Sequence, residues 1–256
     1  MSDTKSVKAL KKQLVAAIAM VCVAAIALGS STYAWFVSNN TVTATTSSIK
    51  AQANAAFMSI EYKATAVGST TIAETDWTGD IELYPAEVQD NGGTPKFVTA
   101  YGTSVNDGTK KSDYIDVGDA TKAVTDKYAV GEVDNFSISS AGVDLTNLII
   151  DKIEVTTGAD KALKDAVRVL VVGPNSWQVW KAGATSPVLE KTAGQPLATT
   201  VVKDTDTKVS VYVYYDGNDA AIYTNNLTAL KESVGVTISF SATQPTTVST
   251  PSGGGV

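Results

Sequence analysis

Apolar and polar side chains alternate in short stretches along most of the chain. The clearest are Met58-Ser59-Ile60-Glu61-Tyr62, Ile81-Glu82-Leu83-Tyr84, Phe136-Ser137-Ile138, Leu148 to Val155, Val167-Arg168-Val169-Leu170-Val171 and Trp177-Gln178-Val179-Trp180. Two more, Val209 to Tyr215 and Val236-Thr237-Ile238-Ser239-Phe240, lie towards the C-terminal end. A period of two sends successive side chains to opposite faces of a strand, so the pattern predicts about eight short strands. Gly, Pro, Asn and Asp clusters separate them, which predicts an all-β jelly-roll or Greek-key sandwich. Val236, Ile238 and Phe240 are expected in its core with Thr237 and Ser239 on water, and Val209, Val211 and Val213 form another buried face. Helical signals are few: Ala120 to Val130, Lys161 to Val167 and Asn225 to Glu232. From Gln89 to Lys111 a Gly/Asn/Lys-rich stretch predicts long exposed loops that decorate one end or shield one face.

No internal repeat and no linker divides this β region, so residues 49–243 are expected to form one domain. The Pro/Thr/Ser/Gly-rich, uncharged stretch 244–256 reads as a flexible tail. It carries neither a sortase-type Leu-Pro-x-Thr-Gly signal nor an apolar anchor, so any cell attachment is expected to be non-covalent.

The N-terminal fifty residues have a different pattern. Lys5, Lys8, Lys11 and Lys12 precede an apolar run from Leu14 to Leu28, and Gly29-Ser30-Ser31-Thr32-Tyr33-Ala34 follows it. A positive head, an apolar run of this length and small residues at −3 and −1 make residues 1–34 a signal peptide, helical in the membrane, cut between Ala34 and Trp35. A retained membrane helix is the competing reading. It needs roughly 20 apolar residues, and the run reaches that length when extended through Phe36.

Behind the junction the chain remains uncharged as far as Ile49. The segment Trp35-Phe36-Val37-Ser38-Asn39-Asn40-Thr41-Val42-Thr43-Ala44-Thr45-Thr46 is β-branched and aromatic, with no Pro and no Gly. Natural proteins blunt such strands with charge or proline. One reading makes it the first strand of this subunit's own sheet. The other makes residues 35–48 a strand lent to a neighbour, with Trp35 and Phe36 as large anchors, Val37 and Val42 in smaller sites, and Thr41 and Thr43 between.

Thr32-Tyr33-Ala34-Trp35-Phe36, the Asn/Ser/Thr/Val stretch after it and Ile49-Lys50-Ala51-Gln52-Ala53 resemble the start of the TasA/camelysin family of secreted bacterial proteins. The resemblance covers about residues 11–62, and Gln52-Ala53 stands where the family often has Gly. It implies a jelly-roll subunit that polymerises into extracellular fibres of the biofilm matrix, the mature N-terminus completing the next subunit's sheet. It implies further copies of the chain as partners, joined head to tail, with signal peptidase acting during export and accessory matrix or anchoring proteins at the cell surface.

Composition narrows the chemistry. There is no His, and the sole Cys, Cys22, lies inside the apolar run. That removes Ser-His-Asp and Cys-His nucleophiles and His-ligated zinc, including the His-Glu-x-x-His site a metalloprotease of camelysin type would need. The expectation is therefore no enzyme, no cofactor and no stoichiometric zinc. Removal of residues 1–34 takes away four Lys and Asp3, which leaves 16 basic and 25 acidic side chains, a net charge of −9. With Arg168 the one arginine, nucleic acid is not an expected partner. Acidic groups at Asp113/Asp116/Asp119, Asp204/Asp206 and Asp216/Asn218/Asp219 could hold calcium weakly, but none has a full calcium-loop pattern, which favours solvated turns. Trp77, Trp177, Trp180 and Tyr212/Tyr214/Tyr215 could form a sugar-binding platform, although core or interface packing is the commoner use of such residues.

A fibre subunit is thus the leading expectation. A monomeric or membrane-held adhesin is the alternative, as is a pilin that keeps its apolar helix. Replacing Ala34 by Leu should block processing and leave a cell-associated precursor, while the unaltered chain is shed with the N-terminus Trp-Phe-Val. N-terminal sequencing of shed material reads the outcome directly, and an intact Met1 there would overturn the cleavage.

Overall fold

The computed structural model describes residues 42–55, 57–75, 81–100, 114–157, 161–219, 222 and 233–244. The apolar run 14–28, the helix expected at 225–232 and the tail from 245 lie outside them. Among the described residues no helix is long and apolar enough to cross a membrane.

The described residues are all-β, forming three sheets and two helices of six residues each. The first sheet contains β1 (Val42–Ala53), β3 (Ile72–Glu74), β4 (Ile81–Leu83), β9 (Leu145–Thr157), β13 (Ala198–Val201) and β15 (Ser233–Thr243). Its order is β13-β9-β15-β1-β3, with β4 paired to the start of β1. The second runs β12 (Leu189–Glu190), β11 (Trp177–Lys181), β10 (Val167–Val172), β14 (Thr207–Tyr215), β8 (Val130–Ser140) and β2 (Met58–Tyr62). A three-stranded meander of β5 (Glu87–Asn91), β6 (Thr94–Thr99) and β7 (Ile115–Gly118) forms the third. Helix α1 (Ala120–Thr125) follows β7, and α2 (Lys161–Ala166) runs directly into β10. Among the described residues every strand pair is antiparallel except β1 with β15, where Thr45–Ala53 lie parallel to Ser233–Phe240.

Alternation along the strands gives both large sheets an apolar face, and these faces share one core. From the first sheet come Ile49, Leu83, Leu148, Ile153, Val236, Ile238 and Phe240, and from the second Ile60, Phe136, Ile138, Val169, Val171, Val209, Val211 and Val213. The expected core positions of β14 and β15 are therefore buried. Thr237 is half-buried as a strand's outward position can be, but Ser239 is buried rather than on water. It pairs with Gln52 on one side and Lys152 on the other, inside a central strand where neighbours cover it.

The second sheet is apolar on its other face as well. Leu170, Trp177, Val179, Tyr212 and Tyr214 pack there with Val88, Phe97, Val117 and Ala123 of the third sheet and α1. The excursion between β4 and β8 thus shields one face, as its length suggested. Its first part is not a loop, however. Asp90-Asn91-Gly92-Gly93 closes a β5–β6 hairpin in which Asn91 pairs with Thr94, and Gly92 and Gly93 have φ of 63° and 90°. Two consecutive positive φ values define the mirror-image turn that suits the twist of a hairpin, and glycine adopts them without a Cβ clash. Trp177 Nε1 donates to the Gly93 carbonyl at 3.0 Å, tying the hairpin tip to the second sheet.

Several irregularities interrupt the ladders, and those in β9 and β8 decide which residues reach the core. In β9 the pairing with β15 skips Asp151, so Ile150 and Ile153 both face the core while Ile149 is left exposed. In β8 the register against β14 shifts between Val209 and Val211, and Asp134 takes a φ of 54°. The buried Asn135 fills that gap. Its Oδ1 accepts from Val211 N at 2.9 Å and its Nδ2 donates to Val211 O at 3.1 Å, so one side-chain amide replaces both missing ladder bonds. Close by, a Cβ on Gly131 would stand 2.3 Å from Val211 O. Asn135→Ala should strand both backbone groups of Val211, at a cost of about 1–3 kcal/mol for each unsatisfied group. Denaturant unfolding measures that loss, and an Asn135→Ala variant as stable as the parent would show that the amide is dispensable.

Candidate assembly site

Strand β1 carries the candidate site, and its two halves are held differently. From Ile49 onward it is a central strand. Lys50, Ala51 and Gln52 pair with Thr237, Ile238 and Ser239 on one side and with Glu74, Ala73 and Ile72 on the other. Ile49 and Ala51 have no exposed surface, and Thr75 closes on Ile49 through its backbone N–H and its Oγ1, both at 3.0 Å. Ile49, Ala51 and Ala53 alternate with Lys50 and Gln52, the period of two of a strand with one face on the core.

The N-terminal half is held more lightly. Val42, Thr43 and Ala44 are register partners of Leu83, Glu82 and Ile81 in the three-residue β4, and Thr45 and Thr46 lie beside Ser233 and Val234. The register shifts between Thr46 and Ser48, so a bulge separates the halves. Of the residues expected to donate the strand, Val42 and Thr43 therefore pair within their own chain. Ala34, Trp35, Phe36, Val37 and Thr41 lie outside the described residues. The domain boundary drawn at 48/49 does not coincide with an element end: β1 crosses it, and the bulge marks the place.

The outward side of the first sheet carries exposed ion pairs beside the exposed Ile72 and Ile149. Lys50 with Glu74 at 3.2 Å and Lys152 with Glu154 at 2.5 Å form exposed ion pairs. Asp151, Lys152 and Glu154 all fall on the stretch of β9 that β13 does not cover. Charge on a partly open strand discourages indiscriminate pairing.

The acidic groups are committed within the fold. Asp116 meets Lys96 at 2.6 Å, Asp119 caps α1 by accepting from Lys122 N at 2.9 Å, and Asp206 accepts from Ala66 N at 2.9 Å. Asp113 lies outside the described residues. Around the nearly buried Arg168, Asp216 and Asp219 stand 2.8 and 3.2 Å from Nη2, while Nη1 donates to the carbonyls of Asp165 and Val167. Both carboxylates are thus paired with the guanidinium. Among the described residues no group of three or more Asp, Glu, Cys or His side chains is arranged to hold a metal. Trp177, Trp180, Tyr212, Tyr214 and Tyr215 are all buried, with Phe97 edge-on to Tyr214 at 5.2 Å, so they pack the interior and offer no sugar platform. Trp77 lies outside the described residues. Sequence reasoning singled out Arg168 as the one arginine, but its role as a hub for a distant loop had no local signal.

Family models, curated proteins and solved structures were compared with the chain, and none matches it. The class the fold defines is therefore an all-β protein of three sheets.

Burial pushes the Asp216 carboxyl above its ordinary range, with the Arg168 guanidinium pulling the other way. The folded chain thus holds this proton more tightly than the unfolded one. Through this group alone stability rises as pH falls from the raised value towards the ordinary one near 3.9. Asp116, held low by its hydrogen bond from Lys96, acts oppositely and loses its contribution on acidification. Arg168→Met leaves Asp216 without its cation and Asp219 with Lys181 alone, 3.8 Å away. Breaking a buried pair costs about 3–5 kcal/mol. Urea unfolding at neutral pH should show this loss, and it should shrink as pH enters the carboxyl range or when Asp216→Asn is added. An equal penalty at all pH values would mean that the lost contact is packing rather than charge.

Proposed function

We propose that the chain is the structural subunit of an extracellular fibre or pilus-like filament of the cell surface or biofilm matrix. It is exported with residues 1–34 as a signal peptide and polymerises head to tail by donor-strand complementation. In this reading the domain is a jelly roll, and the donor runs from Trp35 to Thr46 with Trp35, Phe36, Val37, Thr41, Val42 and Thr43 in the contact. The partners are further copies of the chain, signal peptidase during export and accessory anchoring proteins. No catalytic role is assigned.

The observation that carries the reading is the absence of charge from Gln13 to Ile49, a stretch that runs into β1, whose first residues, Val42–Ala44, pair with the three-residue β4. An uncharged β-branched and aromatic segment gains most by adding to a sheet edge, where its N–H and C=O groups are satisfied and alternate side chains enter pockets. Because donor and acceptor surfaces differ, the contact need not close, and open head-to-tail contacts give filaments.

A monomeric surface adhesin is the second reading, and the in-chain pairing of Val42–Ala44 favours it. Deleting Trp35–Thr46 separates the two. The fibre reading expects filaments to vanish from negative-stain fields while a folded monomer remains, because the deeply held half of β1 starts at Ile49. Truncating a buried aromatic anchor costs on the order of 2–4 kcal/mol at an interface, so Trp35→Ala alone should raise the concentration needed for assembly. Normal fibres from the deletion variant would overturn the reading.

A further inference from the structure

The excursion that carries the third sheet and α1 leaves after β4 and returns at β8, and its two ends meet at a neck. Tyr84 stands where it leaves and Tyr128 where it returns. Tyr84 N donates to Lys127 O at 2.7 Å, and the two phenol rings lie 5.5 Å apart, tilted by 46°. The end of α1 fixes the second tyrosine. Lys127 takes a φ of 64°, and Tyr128 N and Ala129 N both donate to Ala123 O, at 2.7 and 3.2 Å. A left-handed residue past the last turn closes a helix in this way and sets the path of the chain after it.

The pair differs from the other ring contacts. Tyr62 with Phe136 and Tyr214 with Phe97 each join a tyrosine to a fully buried phenylalanine. Tyr84 and Tyr128 are both half-buried, and among the described residues theirs is the ring contact between two tyrosines. Phenylalanine would supply the same apolar ring, and tyrosine adds a phenol. Two adjacent phenols can couple after one-electron oxidation, which a Phe–Tyr pair does not do.

We propose that Tyr84 and Tyr128 form an oxidative cross-linking site, joined as dityrosine by a haem peroxidase and hydrogen peroxide. Each phenol gives up one electron and one proton. The two radicals join through a C–C bond between ring carbons next to the oxygens, and the hydrogens on those carbons move to the oxygens. One peroxide takes up the two electrons and two protons and becomes two waters. The bond closes residues 84–128 into a ring that holds β5, β6, β7 and α1. A cross-link removes conformations from the unfolded chain, more so for a long loop, so the oxidised protein is the more stable form. None of this depends on polymerisation.

Treatment of the full chain with peroxidase and peroxide, dilute enough to keep copies apart, tests the site. The expected product is a monomer lighter by two hydrogens, with dityrosine fluorescence and a cross-linked peptide pair containing residues 84 and 128. Tyr84→Phe and Tyr128→Phe keep the rings and should each abolish that pair, while Tyr62→Phe should leave it. The urea midpoint should rise on oxidation in the parent and stay put in Tyr84→Phe. The yield should fall when the chain is oxidised in urea, where the fold no longer holds the rings together. A folded chain that gives no 84–128 peptide pair, or an equal yield from the unfolded chain, would overturn the proposal.

Discussion

The first and last described strands lie side by side, and the first sheet depends on that pairing. β1 sits between β15 and the short β3 and β4, and β15 in turn carries β9 and β13. Without β1, the N–H and C=O groups of β15 along one side would be left unpaired, and buried groups of that kind are costly. Without β15, the core would lose Val234, Val236, Ile238 and Phe240 together. The parallel direction of the pair follows from topology. Strands joined by a short turn must be antiparallel, whereas these two are joined through the entire domain and are free of that rule.

The second sheet is organised differently. It is a continuous antiparallel sheet buried on both faces, so its strands need large apolar side chains at odd and even positions alike. β14 shows this clearly, with Val209, Val211 and Val213 on one face and Tyr212 and Tyr214 on the other. The Arg168 cluster sits at the rim of that second face. There the loop after β14 must cover charged and polar groups, and the guanidinium joins it to β10 and to the last turn of α2. A buried ion pair contributes little net stability but strongly disfavours arrangements that separate its members. Its role here is to fix the path of residues 216–219.

Much of this architecture was legible from alternation, because β2, β10, β11, β14 and the core face of β15 follow a period of two. The β5–β6 hairpin was not, since its strands are mostly polar and its two glycines read as loop. Bulges hide for a related reason: skipping Asp151 changes the parity of β9, so no strict alternation predicts that Ile150 and Ile153 share a face. Asn135 looks like any turn residue in sequence, and its value lies in a backbone gap made by two distant strands. For the candidate site, composition marked an unprotected strand before the structure did. It could not show that Val42–Ala44 rest on β4, because a three-residue partner leaves almost no pattern.

The pairing of β1 with β15 also sets an order of events in time. The chain is synthesised N-terminus first, so residues 42–53 emerge long before their parallel partner, residues 233–240. Local hairpins such as β5–β6 and β10–β11 can close as soon as they emerge, but contacts between distant parts of a chain form late. β1 is therefore the strand that waits longest for its neighbour. Throughout that interval a β-prone segment, uncharged as far as Ile49, stays without that partner. Crowding among nascent copies thus bears on whether the segment first meets its own sheet or another's.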